Sequence, residues 1–424
     1  MSQRQWKKLD AMQRLGRGEL NLEQAAKLLG LCRRQVRRVL RAFEARGSSA
    51  VVHGNVGRAP GNRTPQEVRA MVAELMATTY AGFNDQHFTE KLAEAHGIVL
   101  SRPTVRRILR SGGIVAARSR RARKFRRRRE RKAQAGLMML WDGSLHDWLE
   151  GRGAPMCLMA AIDDATGELL PGAHFLEAES TVGYLRVLLA VCRHKGVPWS
   201  IYMDRHSSLK RNDQYWTVEE ELRGEQDRTQ VGAALKALDI EPIFALSPQA
   251  KGRVERLWGT LQDRLVSELR LAGVQTLADA NRVLELYRRS HNRRFALPAA
   301  DSVPAWHTPP SGTGLERTCS LRYAPQVRND NTVSIGAGRL LQIPRPADGS
   351  SYAGKRVELR HLLSGQIRVY LNDKLLVSAK AAVPKHPQKH DGHKAVASTK
   401  TETRKKLTFK QTLQKLRSPK QTAA

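Results

Sequence analysis

From residue 137 onward the chain reads as three strands, then helix, strand, helix, strand, helix, and that order restricts the fold more than any other feature of the sequence. Residues 137–142 (LMMLWD) and 156–162 (MCLMAAI) are apolar runs, 163–168 (DDATGE) is a turn sequence, and 169–176 returns. That spacing predicts three antiparallel strands. Thr181–His194 then carries Tyr184, Leu185, Leu188, Leu189 and Val191 on one helical stripe, and 199–203 (WSIYM) is a short strand ending at Asp204. A charged insertion at 207–228 precedes a helix at 231–238 and a strand at 242–246. A long helix follows, capped by Ser247 and opened by Pro248.

This order is that of a ribonuclease H-like α/β fold. In that topology the first and fourth strands lie side by side, so Asp142 and Asp204 converge, and the last helix crosses the sheet edge with Glu255. Glu255 is the only acid between Glu241 and Asp263, and Lys251, Arg253 and Arg256 surround it. Val254, Leu257, Leu261 and Leu265 form the buried stripe of its helix, while Lys251, Glu255 and Gln262 share another face. Glu255 is therefore presented rather than buried. Carboxylates gathered in this way repel one another unless a cation sits among them, and hard oxygen donors suit Mg²⁺ or Mn²⁺. Two such ions activate the attacking oxygen and stabilise the leaving oxygen of a phosphodiester displacement. The adjacent Asp163 and Asp164 read as a hairpin turn rather than as ligands, and Asp147 and Glu150 as local hydrogen-bonding partners. His206 reads as a supporting neighbour of Asp204.

Charge sets the context of these acids. The chain has a formal net charge of +33 and a pI near 10.7, which points to a polyanionic partner, nucleic acid before membrane. Residues 137–297 hold 20 Lys+Arg against 22 Asp+Glu, so the flanks carry the whole excess. The first flank repeats itself: Val36-Arg37-Arg38-Val39-Leu40-Arg41 is echoed by Val105-Arg106-Arg107-Ile108-Leu109-Arg110. Each copy closes a helix-turn-helix pattern. In the first, Asn21 caps a helix bearing Leu22, Ala25, Ala26 and Leu29, residues 30–32 turn, and a second helix runs from Arg33. There Val36, Val39, Leu40 and Phe43 face inward, leaving Arg34, Arg37, Arg38 and Arg41 for a major groove and its phosphates. In the second, Phe88, Leu92 and Ala95 share one helix, Gly97 turns, and Ser101 and Pro103 start the helix that exposes Arg106, Arg107 and Arg110. Residues 118–132 (RSRRARKFRRRRERK), with Arg126, Arg127 and Arg128, read as a nonspecific phosphate clamp.

The chain thus divides into a helix-turn-helix unit at 1–48, a Gly/Pro-rich linker at 49–63, a second helix-turn-helix unit at 64–116, a basic linker at 117–136 and the α/β core at 137–297. The core closes with a helix at 276–295 that has a basic end. A linker at 298–318 leads to a small all-β unit at 319–383, with strands at 332–343, 356–363, 366–371 and 374–377. The basic tail at 384–424 is poor in apolar residues and reads as disordered. Cys32, Cys157, Cys192 and Cys319 are too scattered for a structural zinc and read as free thiols of a reducing compartment. No signal core and no membrane-spanning run is legible, so a soluble cytoplasmic, nucleoid-associated protein is expected.

The chain resembles the DDE transposases of bacterial insertion sequences, relatives of retroviral integrases, and most closely the ISNCY-type group. The likeness lies in Trp141-Asp142-Gly143-Ser144 with His146-Asp147-Trp148, in 161–167 (AIDDATG), in Tyr202-Met203-Asp204-Arg205-His206-Ser207, and in 247–265 (SPQAKGRVERLWGTLQDRL). Four motifs in this order, behind a double helix-turn-helix, are specific together. The resemblance implies that Asp142, Asp204 and Glu255 are the catalytic acids holding two divalent metals. It implies binding to the terminal inverted repeats, cutting there, and joining of the 3′-hydroxyls to target DNA by a homodimer or larger multimer. It also makes the small β unit an SH3-like barrel; Lys251 and Gln262, on the helix face of Glu255, are expected to contact the bound DNA. The 50 residues between Asp204 and Glu255 exceed the spacing usual in retroviral integrases, and the charged insertion accounts for the excess. Two other readings stand beside this one: a transposase-derived DNA-binding protein without catalysis, and a nuclease of the same fold that cuts without joining.

Overall fold

The computed structural model describes residues 2–53, 55–56, 61, 63–115, 129–211, 215–245, 252–309 and 312–380. The chain forms two compact units, residues 1–75 with 104–114, and residues 76–103 with 115–424.

The first unit holds α1 (Gln3–Gly16), α2 (Leu22–Leu29), α3 (Arg33–Arg46), a 3₁₀ turn at 47–51 and most of α4 (Gln66–Ala77). Asn21 caps α2 as its sequence requires, accepting from the Glu23 and Gln24 amides while Gln24 reaches back to the Asn21 N–H. Gly30 ends α2 at φ 62°, a left-handed turn that glycine adopts without a Cβ clash. Val36 is buried and Val39, Leu40 and Phe43 are partly buried in one core with Ala25, so the predicted stripe is real. α1 has no counterpart in the sequence reading; its Leu9, Ala11 and Met12 seal that core. α5 (Asp85–His96) belongs to the second unit and α6 (Arg102–Ser111) to the first, although the sequence pairs them in one helix-turn-helix. Charge explains the affiliation of α5: Glu90 takes a bidentate contact from Arg264, Glu268 accepts from both His87 and Lys91, and Asn84 bonds Asp263.

The second unit is built on β1 (Met139–His146), β2 (Met156–Asp163), β3 (His174–Leu176), α7 (Thr181–His194), β4 (Ser200–Met203), α8 (Val218–Arg223), α9 (Gln230–Ala237), β5 (Glu241–Phe244), α10 (Gly252–Leu271) and α11 (Leu277–Phe295). One five-stranded sheet has the order β3-β2-β1-β4-β5, antiparallel from β3 to β1 and parallel from β1 to β5. This is the mixed sheet that the sequence order predicts. Its residues alternate between two apolar layers. Met139, Trp141, Ile201 and Met203 pack with α7 and α9, while Met138, Leu140 and the partly buried Tyr202 pack with α10 and α11. Helices on both sides explain why all of β2 is buried.

Several boundaries differ from the expectation. The third strand shrinks to three residues, with Leu169 bridging Ile162 separately. The insertion contains α8, anchored by Glu220, whose carboxylate is buried against Arg211 and accepts from the Thr217 and Asp227 amides. Ser247, Pro248 and Lys251 lie outside the described residues. Residues 129–136 and 298–309, the described parts of the two stretches expected as linkers, are hydrogen-bonded together. The Asp301 and Ala305 amides donate to the Ala133 and Ala135 carbonyls, and His307 pairs with Val197. Two buried acids of the turn after β2 hold the first of these stretches: Asp163 accepts from the Gly136 N–H, and Asp164 accepts from the Lys132 N–H and from Arg129. Asp163 also binds the Thr166 amide and hydroxyl, which is the turn role expected of it.

The predicted β unit is present as two antiparallel sheets around one apolar core. After α12 (Gly312–Thr318), β6 (Leu321–Tyr323), β9 (Glu358–His361), β10 (Gln366–Leu371) and β11 (Lys374–Lys380) form a sheet in the order β11-β10-β9-β6, and β7 (Thr332–Gly336) pairs with β8 (Arg339–Gln342). Val333, Ile335, Leu359, Ile367 and Val369 fill the core. β6 was lacking from the sequence reading, and the single strand expected at 332–343 is the β7–β8 hairpin. The tail at 384–424 lies outside the described residues.

One buried group in α11 makes the second unit acid-sensitive. Burial, aided by Arg264 and Arg294, pushes His291 down to about 4 from an ordinary 6.5. The unfolded chain therefore binds a proton between these values that the folded chain refuses, so the stability present above pH 6.5 is lost as pH falls towards 4. We expect a loss on the order of 3 kcal/mol. Urea unfolding at pH 7 and pH 4.5 should show it in the wild type and show much less in His291→Leu; equal pH dependence in both would refute it.

Candidate active site and DNA-binding face

The parallel pairing of β1 with β4 sets the level of the two aspartates. Met139 pairs with Ile201 and Leu140 with Tyr202; the same offset, carried two residues further, brings Asp142 level with Asp204. Strands paired in this way run about 4.8 Å apart. Both aspartates are half-buried. Asp142 lies on the α10 side of the sheet, where the Trp258 indole N–H donates to its Oδ2 at 3.1 Å.

Glu255 is exposed in the first turn of α10, three residues before Trp258, so the two are neighbours on the helix surface. Val254, Leu257, Leu261 and Leu265 are buried as predicted, and Trp258 joins them. One turn further on, Gln262 donates to Ser144 Oγ at 3.3 Å. This bond turns a residue expected on DNA towards β1, where with Trp258 it fastens α10 alongside Asp142. Arg253 is likewise engaged within the protein: it pairs with Asp164 and donates to the Arg129 carbonyl at 2.7 Å.

Four residues near the aspartates were missed from sequence. Glu179 precedes the Ser180 cap of α7, and Tyr184, in the second turn, donates its hydroxyl to Glu179 Oε1 at 2.5 Å. The other Glu179 oxygen lies 2.7 Å from the point a Cβ on Gly143 would occupy. His206 stands 3.5 Å from Glu179 through Nδ1, and its backbone N–H donates to Asp204 Oδ1 at 3.0 Å, the supporting position expected of it. Burial first, then Glu179, Asp204 and Asp142, raises the Tyr184 phenol far above its ordinary range. Burial, then Glu179 and Asp142, pushes the Cys157 thiol up to about 12. The remaining two are Trp258 and Ser144. The available signal was the Glu179-Ser180 step itself, an acid at the start of a capped helix beside the strand that ends in Asp204.

The donors suit a hard divalent ion, since all three predicted ligands offer carboxylate oxygen. One local feature also fits one: the Gly143 backbone leaves room beside them for the Glu179 carboxylate. Among the described residues no three acid, imidazole or thiol groups are already drawn together tightly enough to hold an ion. Continued by two residues, the β1–β4 offset sets Asp142 opposite Asp204, and Glu255 lies on the helix whose Trp258 bonds Asp142. Asp163 and Asp164 are taken up by the hydrogen bonds of their turn.

In the first unit, Arg34, Arg37, Arg38 and Arg41 are all exposed along α3, as its stripe requires, and Arg106 and Arg107 are exposed on α6. Arg110 differs: it is half-buried, and its guanidinium donates to the Ile114 carbonyl at 2.8 Å just beyond the helix end. Free carbonyls at a helix C-terminus attract such a cation. Arg126, Arg127 and Arg128 lie outside the described residues, as does Lys251. Among the described residues no helix is long and apolar enough to cross a membrane.

Residues 8–70 match the family model for a winged helix-turn-helix. The putative transposase y4bF of Sinorhizobium fredii is 37% identical over 302 residues, covering 71% of this chain and 64% of that protein. The transposase for insertion sequence IS1202 of Streptococcus pneumoniae is 32% identical over 323 residues, covering 68% of this chain and 68% of that protein. The chain thus spans about two thirds of the length of these relatives. A chain of the simian T-cell lymphotropic virus intasome, in complex with PP2A regulatory subunit B56 gamma, aligns at 15% identity and a TM-score of 0.31, over 74% of this chain and 99% of its own. The HTLV-2 integrase catalytic core with magnesium gives 15% identity and a TM-score of 0.26 over 38% and 88%. Superpositions that loose fix the role of no residue.

Proposed function

The chain belongs to the transposases of insertion sequences, and from that membership we propose that it binds the terminal inverted repeats of its element and catalyses metal-dependent cleavage and strand transfer with Asp142, Asp204 and Glu255. The observation that supports this reading is the parallel pairing of β1 with β4, whose offset, continued two residues, sets Asp142 opposite Asp204 beside the helix of Glu255. Asp142, Asp204 and Glu255 would hold Mg²⁺ or Mn²⁺, which when bound stabilises charge on the attacking and leaving oxygens. The chain's own part is positional. Trp258 holds the Asp142 carboxylate, the His206 amide holds Asp204, and Gln262 with Ser144 keeps α10 against β1.

DNA is bound by the exposed arginines of α3 and α6, and the element's ends and target are its substrates. We further read the C-terminal sheets as the SH3-like barrel of this family. The working form is a dimer or larger assembly on DNA at the nucleoid, since two ends must be held for joining.

Joining tests the reading. The full chain is incubated with a duplex carrying a pre-cut element end, a supercoiled plasmid and Mg²⁺. Covalent insertion of the end into the plasmid is the expected product. Binding without any cutting or joining would identify a DNA-binding derivative, and cutting without joining a nuclease. The α3 arginines make a separate prediction. Arg37→Ala with Arg38→Ala should weaken end binding about tenfold or more and flatten its salt dependence by about two units of slope. An unchanged salt slope would remove α3 from the interface.

A further inference from the structure

The sequence motif Trp141-Asp142-Gly143-Ser144 contains a glycine that the proposed reaction does not use. Gly143 lies within β1, where glycine weakens a strand and marks a close approach by another group. The approaching group is Glu179. A Cβ on Gly143 would stand 2.7 Å from Glu179 Oε2, 2.9 Å from its Cδ and 3.0 Å from its Cγ, all too close to coexist. No residue with a side chain fits there while Glu179 keeps its place.

Glu179 is held in that place from its other end. The Tyr184 hydroxyl donates to Oε1 at 2.5 Å, which leaves Oε2 turned to the β1 backbone beside Asp142. Its third neighbour is His206, with Nδ1 at 3.5 Å, two residues beyond Asp204. Glu179 therefore touches the segments that carry both aspartates, from the α7 side of the sheet. A carboxylate held there by the Tyr184 phenol adds negative field beside the segments that carry Asp142 and Asp204. Like charges gathered at one strand end cost stability unless a cation offsets them.

We propose that Glu179 is a fourth acid of the metal centre, a positioning residue that strengthens the hold of Asp142 and Asp204 on a divalent ion, and that position 143 is glycine in order to admit it. The inference rests on the metal-centre reading of Asp142 and Asp204. It differs from that reading in its prediction, because Glu179 acts through its charge and hydrogen bonding beside the ligands rather than as one of the three acids.

The test reads metal binding and requires no turnover. Mn²⁺ is titrated into the full chain and free ion is followed by electron paramagnetic resonance, for the wild type, Glu179→Gln, Gly143→Ala and Asp142→Asn. Glu179→Gln keeps an oxygen for the Tyr184 hydroxyl and removes only the charge. It should weaken Mn²⁺ binding about tenfold to a hundredfold, the range for groups that support metal ligands, with an unchanged melting temperature. Gly143→Ala should do the same, since the atom it displaces is the end of a flexible side chain. Asp142→Asn should lose the ion outright. If Asp142→Asn loses Mn²⁺ while Glu179→Gln binds it as the wild type does, the role of Glu179 is wrong and the metal centre stands. If the wild type takes up no Mn²⁺, or Asp142→Asn binds it normally, the metal-centre reading fails and this inference falls with it.

Discussion

Asp142→Asn, Asp204→Asn and Glu255→Gln should each reduce end cleavage and joining by about 10²–10³-fold or more, the scale for removing one preorganised charge-stabilising group, while leaving end binding near wild type. The separation follows from where the groups lie. An amide oxygen placed at position 142 or 204 still accepts the bond from Trp258 or from the His206 amide, so each variant keeps its local structure. Glu255 is exposed, so its replacement opens no cavity in the core. The arginines of α3 keep their charge in all three variants. Parallel assays of joining and of end binding check this, and a variant that joins ends at the wild-type rate removes its residue from the site.

The second large effect is structural. Asp164 is wholly buried, and burial alone would raise its pKa; bonds from Arg129, the Lys132 amide and Arg253 outweigh that cost and hold its carboxyl below the usual range. Asp164→Ala would leave Arg253, itself largely buried, beside Arg129 without their shared counter-charge. Breaking a buried ion cluster from one side costs about 3–5 kcal/mol, and the lower end applies here because Arg129 is half-exposed. The sign with pH is set by the lowered pKa. The contribution is complete above the ordinary aspartate value of 3.8 and is lost as pH falls through the lower folded value. Calorimetry at pH 7 should show a melting temperature lower by several degrees, and an unchanged one would show that the cluster contributes nothing. Joining should fall too, because Arg253 shares the first turn of α10 with Glu255.

How much was legible in the sequence varied with the kind of force involved. α7 and β10 match their predicted spans, because their apolar periods are strong and their ends are marked by Ser180 or by turn residues. That β1 and β4 are parallel neighbours followed from strand order alone, since adjacency is set by topology. Ion pairs between distant residues were not legible. Nothing in the sequence marks Arg264 for burial, yet Glu90 and the chain folding about it bury it. The same holds for Arg253, one of the bases around Glu255 in sequence that Asp164 engages in the fold, and for residues 129–136, a basic linker by composition and a strap by hydrogen bonding. Glu179 escaped because an acid just before a helix cap is a common arrangement, and the contact with Gly143 that sets it apart joins distant parts of the chain.

The central claim is that Asp142, Asp204 and Glu255 hold one metal centre, and iron-directed cleavage of the backbone tests it most directly. Fe²⁺ takes the place of Mg²⁺ in the full chain bound to end duplex, and ascorbate with peroxide releases radicals that cut the chain next to the ion. Fragments ending near 142, near 204 and near 255, all suppressed by excess Mg²⁺, are the predicted result. Cuts that spare the region of Glu255, or that persist at high Mg²⁺, would contradict it.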